Sequence, residues 1–122
     1  MASLTATLTL YSTDATSDTL NLTTTNTLVV DSPITNFAKT TVGTSTAVQL
    51  LDKTIATAAT YVYLKNTDST NFVFVKTDDD ATWGKLHPGE MMFFCVYPDI
   101  GLELKSDTAA CKVEYAFFTK SA

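Results

Sequence analysis

In the first third of the chain, apolar residues fall two apart. Leu4, Ala6, Leu8 and Leu10 alternate with Thr5, Thr7 and Thr9. A period of two marks a strand with one dry and one wet face. Threonine suits the wet face, being β-branched and tolerant of water. Leu20, Leu22 and Val30 repeat the theme, with a bend or break expected near Thr24-Thr25-Asn26 and an end at Asp31-Ser32-Pro33. The second half reads differently. Phe72-Val73-Phe74-Val75 and Met91 to Tyr97 are apolar without alternation, so both of their faces need cover. In so small a domain, cover beyond its own second sheet is expected from neighbouring molecules.

Further strands are expected over Phe37 to Val42, Thr46 to Leu51, Leu102 to Lys105 and Cys111 to Thr119, with a loop over Ile55 to Ala59. Tyr61 to Lys65 and Phe72 to Lys76 flank the polar cluster Asn66-Thr67-Asp68-Ser69-Thr70-Asn71, which reads as a hairpin. Thr77 to Thr82 reads as a second polar loop. His87-Pro88-Gly89-Glu90 has the chemistry of a tight turn, proline presetting one dihedral and glycine accepting a positive φ. No helical periodicity runs beyond two turns. Strands every eight to twelve residues point to an all-β fold. The expectation is a single-domain antiparallel β-sandwich of jelly-roll type over residues 1–122, with the threonine-rich strands 4–30 in the same sheets.

Composition narrows the function. The 122 residues suit one domain that folds without metal or disulfides. Net charge is −5, and all eight basic residues are lysine. Without arginine and with an acidic surface, nucleic-acid binding is not expected. Met91 to Tyr97 is the longest apolar run and too short to span a bilayer. The N-terminus lacks a basic region followed by an apolar core, so synthesis and folding in a reducing cytoplasm are expected. Cys95 and Cys111 are then two buried thiols at inward strand positions.

Candidate chemistry is thin. His87 is the sole histidine and precedes Pro-Gly, so a metal centre or a serine or cysteine triad would lack its partners. Cys95 sits in the most apolar strand, where a thiol is a small hydrophobe with a raised pKa. Asp78-Asp79-Asp80 lacks the alternate spacing of a calcium loop and reads as a solvated hairpin tip. Nothing brings Glu90 and Glu103 together as a glycosidase pair. The Thr-x-Thr runs lack the fixed coil period of an ice-binding solenoid. Trp83 has the ring and the loop-edge position for stacking on a sugar, and equally for an interface anchor. No cofactor and no enzymatic activity are expected.

Tyr61-Val62-Tyr63-Leu64-Lys65-Asn66-Thr67-Asp68-Ser69-Thr70-Asn71-Phe72, then Lys85-Leu86-His87-Pro88-Gly89-Glu90, then Cys111-Lys112-Val113-Glu114-Tyr115-Ala116-Phe117-Phe118 carry a resemblance. Together they resemble small structural proteins of tailed bacteriophage virions, which open with a threonine-rich β segment. Such proteins carry an L-x-P-G-E turn before an apolar strand and end in a V-E-Y-x-aromatic strand. The resemblance implies a capsid decoration (cement) protein, or a small tail, neck or fibre component. It attaches no catalytic residue to those motifs. The expected partners are its own copies, three in number, and the major capsid protein or other virion proteins. The expected place is the capsid surface. Phe72, Phe74, Met92, Phe94 and Phe118 are the expected assembly face, with Val73, Val75, Phe93 and Phe117 as core; a one-residue register shift would exchange the two sets. The alternative function is a carbohydrate- or receptor-binding module built around Trp83.

Overall fold

The computed structural model describes residues 2–31, 35–51 and 60–121; the loop expected over 55–59 and the Ser32-Pro33 stop lie outside them. Ten strands appear among the described residues, with one short 3-10 helix at Pro98–Ile100. The strands are β1 (Ala2–Ser12), β2 (Leu20–Val30), β3 (Thr35–Val42), β4 (Val48–Leu51), β5 (Thr60–Asn66), β6 (Val73–Lys76), β7 (Thr82–Leu86), β8 (Met91–Val96), β9 (Leu102–Ser106) and β10 (Cys111–Thr119).

The body is an antiparallel β-sandwich of two four-stranded sheets, in the orders β3-β10-β5-β8 and β4-β9-β6-β7. Its pairings are nested: β3 with β10, β4 with β9, β5 with β8 and β6 with β7. The chain is thus a long hairpin bent back on itself, and β5–β10 and β6–β9 contacts join the pairs into sheets. Val42, Val62, Leu64, Cys111, Val113 and Phe117 of the first sheet meet Leu51, Val73, Val75, Leu86, Leu102 and Leu104 of the second. Each Val or Leu fully withdrawn from water there contributes about 1.5–3 kcal/mol.

Two connections differ from the sequence-based expectation. Segments 61–65 and 72–76 are not a hairpin: β5 belongs to the first sheet and β6 to the second. The chain changes sheets after Asn66, whose side chain is wholly buried. Its Nδ2 donates to the carbonyls of Asn71 at 2.9 Å and Leu86 at 3.1 Å, and its Oδ1 accepts from the Asp68 N–H at 3.0 Å. Those bonds satisfy backbone groups of the 66–71 crossing and of the end of β7. The second difference is β7, which has no alternating pattern to announce it. Gly84 lies opposite Val75 there, and an added Cβ would come within 3.3 Å of the valine Cβ.

The threonine-rich strands also depart from expectation. They do not join either body sheet but form their own two-stranded ribbon, and β2 runs unbroken through Thr24-Thr25-Asn26. Register places Thr5, Thr7 and Thr9 opposite Thr27, Thr25 and Thr23 on one face. Hydroxyls of Thr7 and Thr25 lie 3.2 Å apart, and those of Thr9 and Thr23 3.3 Å. Cross-strand threonine pairs of this kind contribute roughly 0.2–1 kcal/mol each and replace the bend. The ribbon is tied to the body at its base, where Val30 bridges Lys120 and the Asp31 N–H donates to the Thr119 carbonyl at 2.9 Å.

Candidate assembly surface

Strand alternation gives the first sheet an outer face bearing Tyr61, Tyr63, Met91, Phe93, Cys95, Ala116 and Phe118, set by the pairs Tyr61–Cys95, Tyr63–Phe93 and Ala116–Tyr63. Lys65, Glu114 and Lys39 edge it, and Lys39 Nζ is 3.7 Å from a Glu114 carboxylate oxygen. Burial, and then the nearby Glu114 carboxylate, pushes the Tyr63 phenol up from its ordinary value. The outer face of the second sheet contrasts with this. There Phe74 stands among Lys85, Glu103, Lys105 and Gln49. One sandwich face is apolar and the other charged.

The ribbon supplies part of the missing cover. Leu4, Ala6 and Leu8 of β1 share an open groove of about 790 Å³ with Tyr63, Met91, Phe93, Ala116 and Phe118. Ala116 is buried and Phe118 half-buried, whereas Met91 stays 67% exposed and Phe93 44%. Towards the ribbon tip, Leu8, Leu10, Tyr11 and Leu22 are also exposed. Own-chain cover therefore ends part-way across the sheet. Apolar positions that one subunit leaves wet are found both on the sheet and on the ribbon.

Strand β8 reverses the expected facing. Met92 and Phe94 pack against the core, and Phe93, expected there, points outward with Met91 and Cys95. The run has no polar residue to fix its phase, so only pairing with β5 decides it: Val62 opposite Phe94 and Leu64 opposite Met92 put those side chains inside. Val73, Val75 and Phe117 are buried as expected. Phe118 lies on the apolar outer face. Phe72 and Phe74 lie on the charged side, where they meet edge to face at 5.0 Å and Lys85 Nζ sits 3.8 Å from the Phe72 ring centre. The lysine's charge thus sits over the ring face as a cation–π contact. The outward residues that went unassigned to assembly, Tyr61, Tyr63 and Met91, lie in the same kind of non-alternating runs that flagged their neighbours.

The remaining candidates are structural in their contacts. Trp83 occupies the point where β6–β7 register slips by a residue, and its ring meets Phe94 edge to face at 5.2 Å. His87 and Glu90 close the turn on each other: one Glu90 carboxylate oxygen accepts from the His87 N–H and lies 2.9 Å from Nδ1. The His87 backbone and side-chain hydrogen bonds hold the Glu90 carboxyl below its usual range. Asp80, at the β6–β7 tip with a positive φ of 66°, pairs with the nearly buried Lys76. Among the described residues, no group of three His, Cys, Asp or Glu side chains is placed to hold a metal ion. Cys95 and Cys111 are unpaired; Cys111 is buried beside the Ser106 hydroxyl at 3.1 Å, but Cys95 is exposed, because it shares the outward phase of Phe93.

Comparison with models of protein families, with curated proteins and with solved structures returned no match.

Proposed function

We propose that the protein is a non-enzymatic structural subunit of a phage particle, a decoration or cement protein that binds its own copies and the capsid shell. The observation that carries this reading is the apolar face of the first sheet, where Met91, Phe93 and Cys95 stay exposed and the ribbon leaves an open groove over Met91 and Phe93. Large side chains wet on one subunit gain about 1.5–3 kcal/mol each when a neighbour buries them fully. Symmetry multiplies that gain, and the scarcity of charge on this face keeps its desolvation inexpensive. The nested order of the eight body strands supports reading the sandwich as a jelly roll, an architecture whose closed winding leaves few strand edges to manage. Its place of action would be the capsid surface, after synthesis in the host cytoplasm.

The test is to purify the chain, measure its mass by light scattering, and mix it with undecorated phage shells. The expected result is a homo-oligomer that co-sediments with shells. Oligomers that bind isolated tails or necks and leave shells bare would move the subunit to the tail, neck or fibre. A monomer that binds neither would refute the proposal.

A further inference from the structure

The two faces of the β1–β2 ribbon differ in how water reaches them. The threonine face, Thr5, Thr7 and Thr9 beside Thr27, Thr25 and Thr23, is exposed throughout. The other face loses its cover from base to tip. Val30 is 3% exposed, Leu4, Ala6 and Leu28 are half-buried, and Leu8 reaches 53%. The sheet below shows the same gradient. Ala116 and Phe118 are buried and half-buried on β10, whereas Met91 and Phe93 are exposed on β8, two strands further across. The groove between ribbon and sheet is therefore a wedge, shut beside β10 and open where Leu8 looks towards Met91 and Phe93. Its shut end coincides with the ribbon's ties to the body. These are the Val30–Lys120 bridge, the Asp31 N–H to the Thr119 carbonyl at 2.9 Å, and the Ser121 N–H to the Val29 carbonyl at 3.0 Å. Among the described residues, no sheet ladder joins the ribbon to either body sheet.

We infer that the ribbon is a strap, pivoting on those ties, that closes over Met91 and Phe93 of its own chain in the free subunit. A neighbour reaching that face has to displace it; this second part rests on the assembly reading above, and the closure itself does not. A two-stranded ribbon alone is marginal in water, so its leucine side gains from an apolar floor. The threonine side can stay wet in either position, which suits an element that is covered on one face only. Tethering decides whose floor it takes. A tethered segment meets its own chain's site at an effective concentration of about millimolar order, roughly a hundredfold above that of another copy at about 10 µM. Met91 and Phe93 cannot serve the strap and a neighbour at once, so closure holds back assembly in dilute solution.

The test places one thiol on each side of the wedge in the full-length chain. Cys95→Ser removes the exposed native thiol, and Leu8→Cys with Met91→Cys makes the pair. Thr9→Cys with Met91→Cys is the reference, one residue along and on the ribbon's outer face. Dilute chains are oxidised with diamide, and mass spectrometry reads whether each link lies within or between chains. The expected result is an intrachain link in most chains of the first pair and in few of the reference. Light scattering and mixing with shells then compare the locked and reduced forms of the same protein. The reduced form should assemble as the parent does, and the locked form should keep the mass of one chain and leave shells bare. Equal linking of the two pairs, or links only between chains, would overturn the closure. A locked chain that assembles like the reduced one would overturn the strap and leave the assembly reading standing. An intrachain link in a protein that stays monomeric and binds no shell, locked or reduced, would support the closure and overturn the assembly reading.

Discussion

Tyr61 and Phe93 lie stacked on the outer face of the first sheet, ring centres 6.2 Å apart and planes 13° from parallel. The ribbon leaves this pair uncovered enough that Phe93 is 44% exposed. Within one subunit the ring has little to lose, since its stacking contributes only about 0.5–1.5 kcal/mol. The proposed assembly would make it a desolvated anchor between subunits. Phe93→Lys is therefore expected to lower the monomer's thermal midpoint by about 4 °C. Its cost to assembly should be about 2–4 kcal/mol, a weakening of roughly 30- to 1000-fold. Sedimentation equilibrium against thermal unfolding separates the two effects. Equal losses in both would mean that Phe93 serves the fold alone.

Asn66 is expected to behave in the opposite way. Its side chain is wholly buried and makes three hydrogen bonds to backbone groups at the crossing between sheets. Asn66→Ala strands those groups, including the Leu86 carbonyl, so a loss of about 3 kcal/mol is expected. Urea titration should show a lower midpoint with an unchanged slope. A loss below about 0.5 kcal/mol would show that water replaces the side chain.

Trp83 separates the structural use of its ring from the sugar-binding alternative. Its edge-to-face contact with Phe94 spans the seam between β7 and β8, the edge strands of the two sheets. Trp83→Ala should cost about 1–2 kcal/mol of stability by chemical denaturation. It should leave oligomer mass unchanged. Glycan-array binding that is present in the parent and lost in the variant would restore the alternative.

Glu103 carries a pH dependence. Burial, and then the carboxylates of Asp78 and Asp80, raise its pKa, against a smaller lowering by Lys76. A folded pKa above the unfolded one means that the folded state favours the protonated acid. The associated stability is complete below the ordinary carboxylate range and is lost as pH rises through the raised value. Glu103→Gln should therefore stabilise at neutral pH, by at most about 0.5 kcal/mol because the group is only partly buried. The advantage should vanish in acid. A gain of equal size at both pH values in paired thermal melts would assign the effect to something other than charge.

Much of the fold was legible because alternation and turn chemistry are local. The strand with Leu4, Ala6, Leu8 and Leu10 on one side and the β9 and β10 segments follow from side-chain period alone. What stayed hidden depends on partners distant in sequence. Met91 to Val96 contains no polar residue to set its phase, so only Val62 and Leu64 on β5 could turn Met92 and Phe94 inward. Asn66 to Asn71 has the composition of a hairpin turn, yet the Leu86 carbonyl draws Asn66 into a crossing between sheets. The ribbon's separation from the body lies beyond periodicity, because its alternation is that of any half-buried strand. The uncovered apolar face was readable in kind from the Met91 to Tyr97 run, but its owners were assigned one residue out of phase on β8, and Phe74 of the other non-alternating run stands on the charged face.

The most direct test of assembly is the reaction rate of Cys95 with a thiol reagent, followed as protein concentration rises. Burial of the first sheet's outer face by a neighbour predicts one fast thiol in dilute solution, slowing in step with the oligomer mass seen by light scattering, while Cys111 reacts only on unfolding. A Cys95 rate that stays fast at every concentration, from a particle that keeps the mass of one chain, would contradict it.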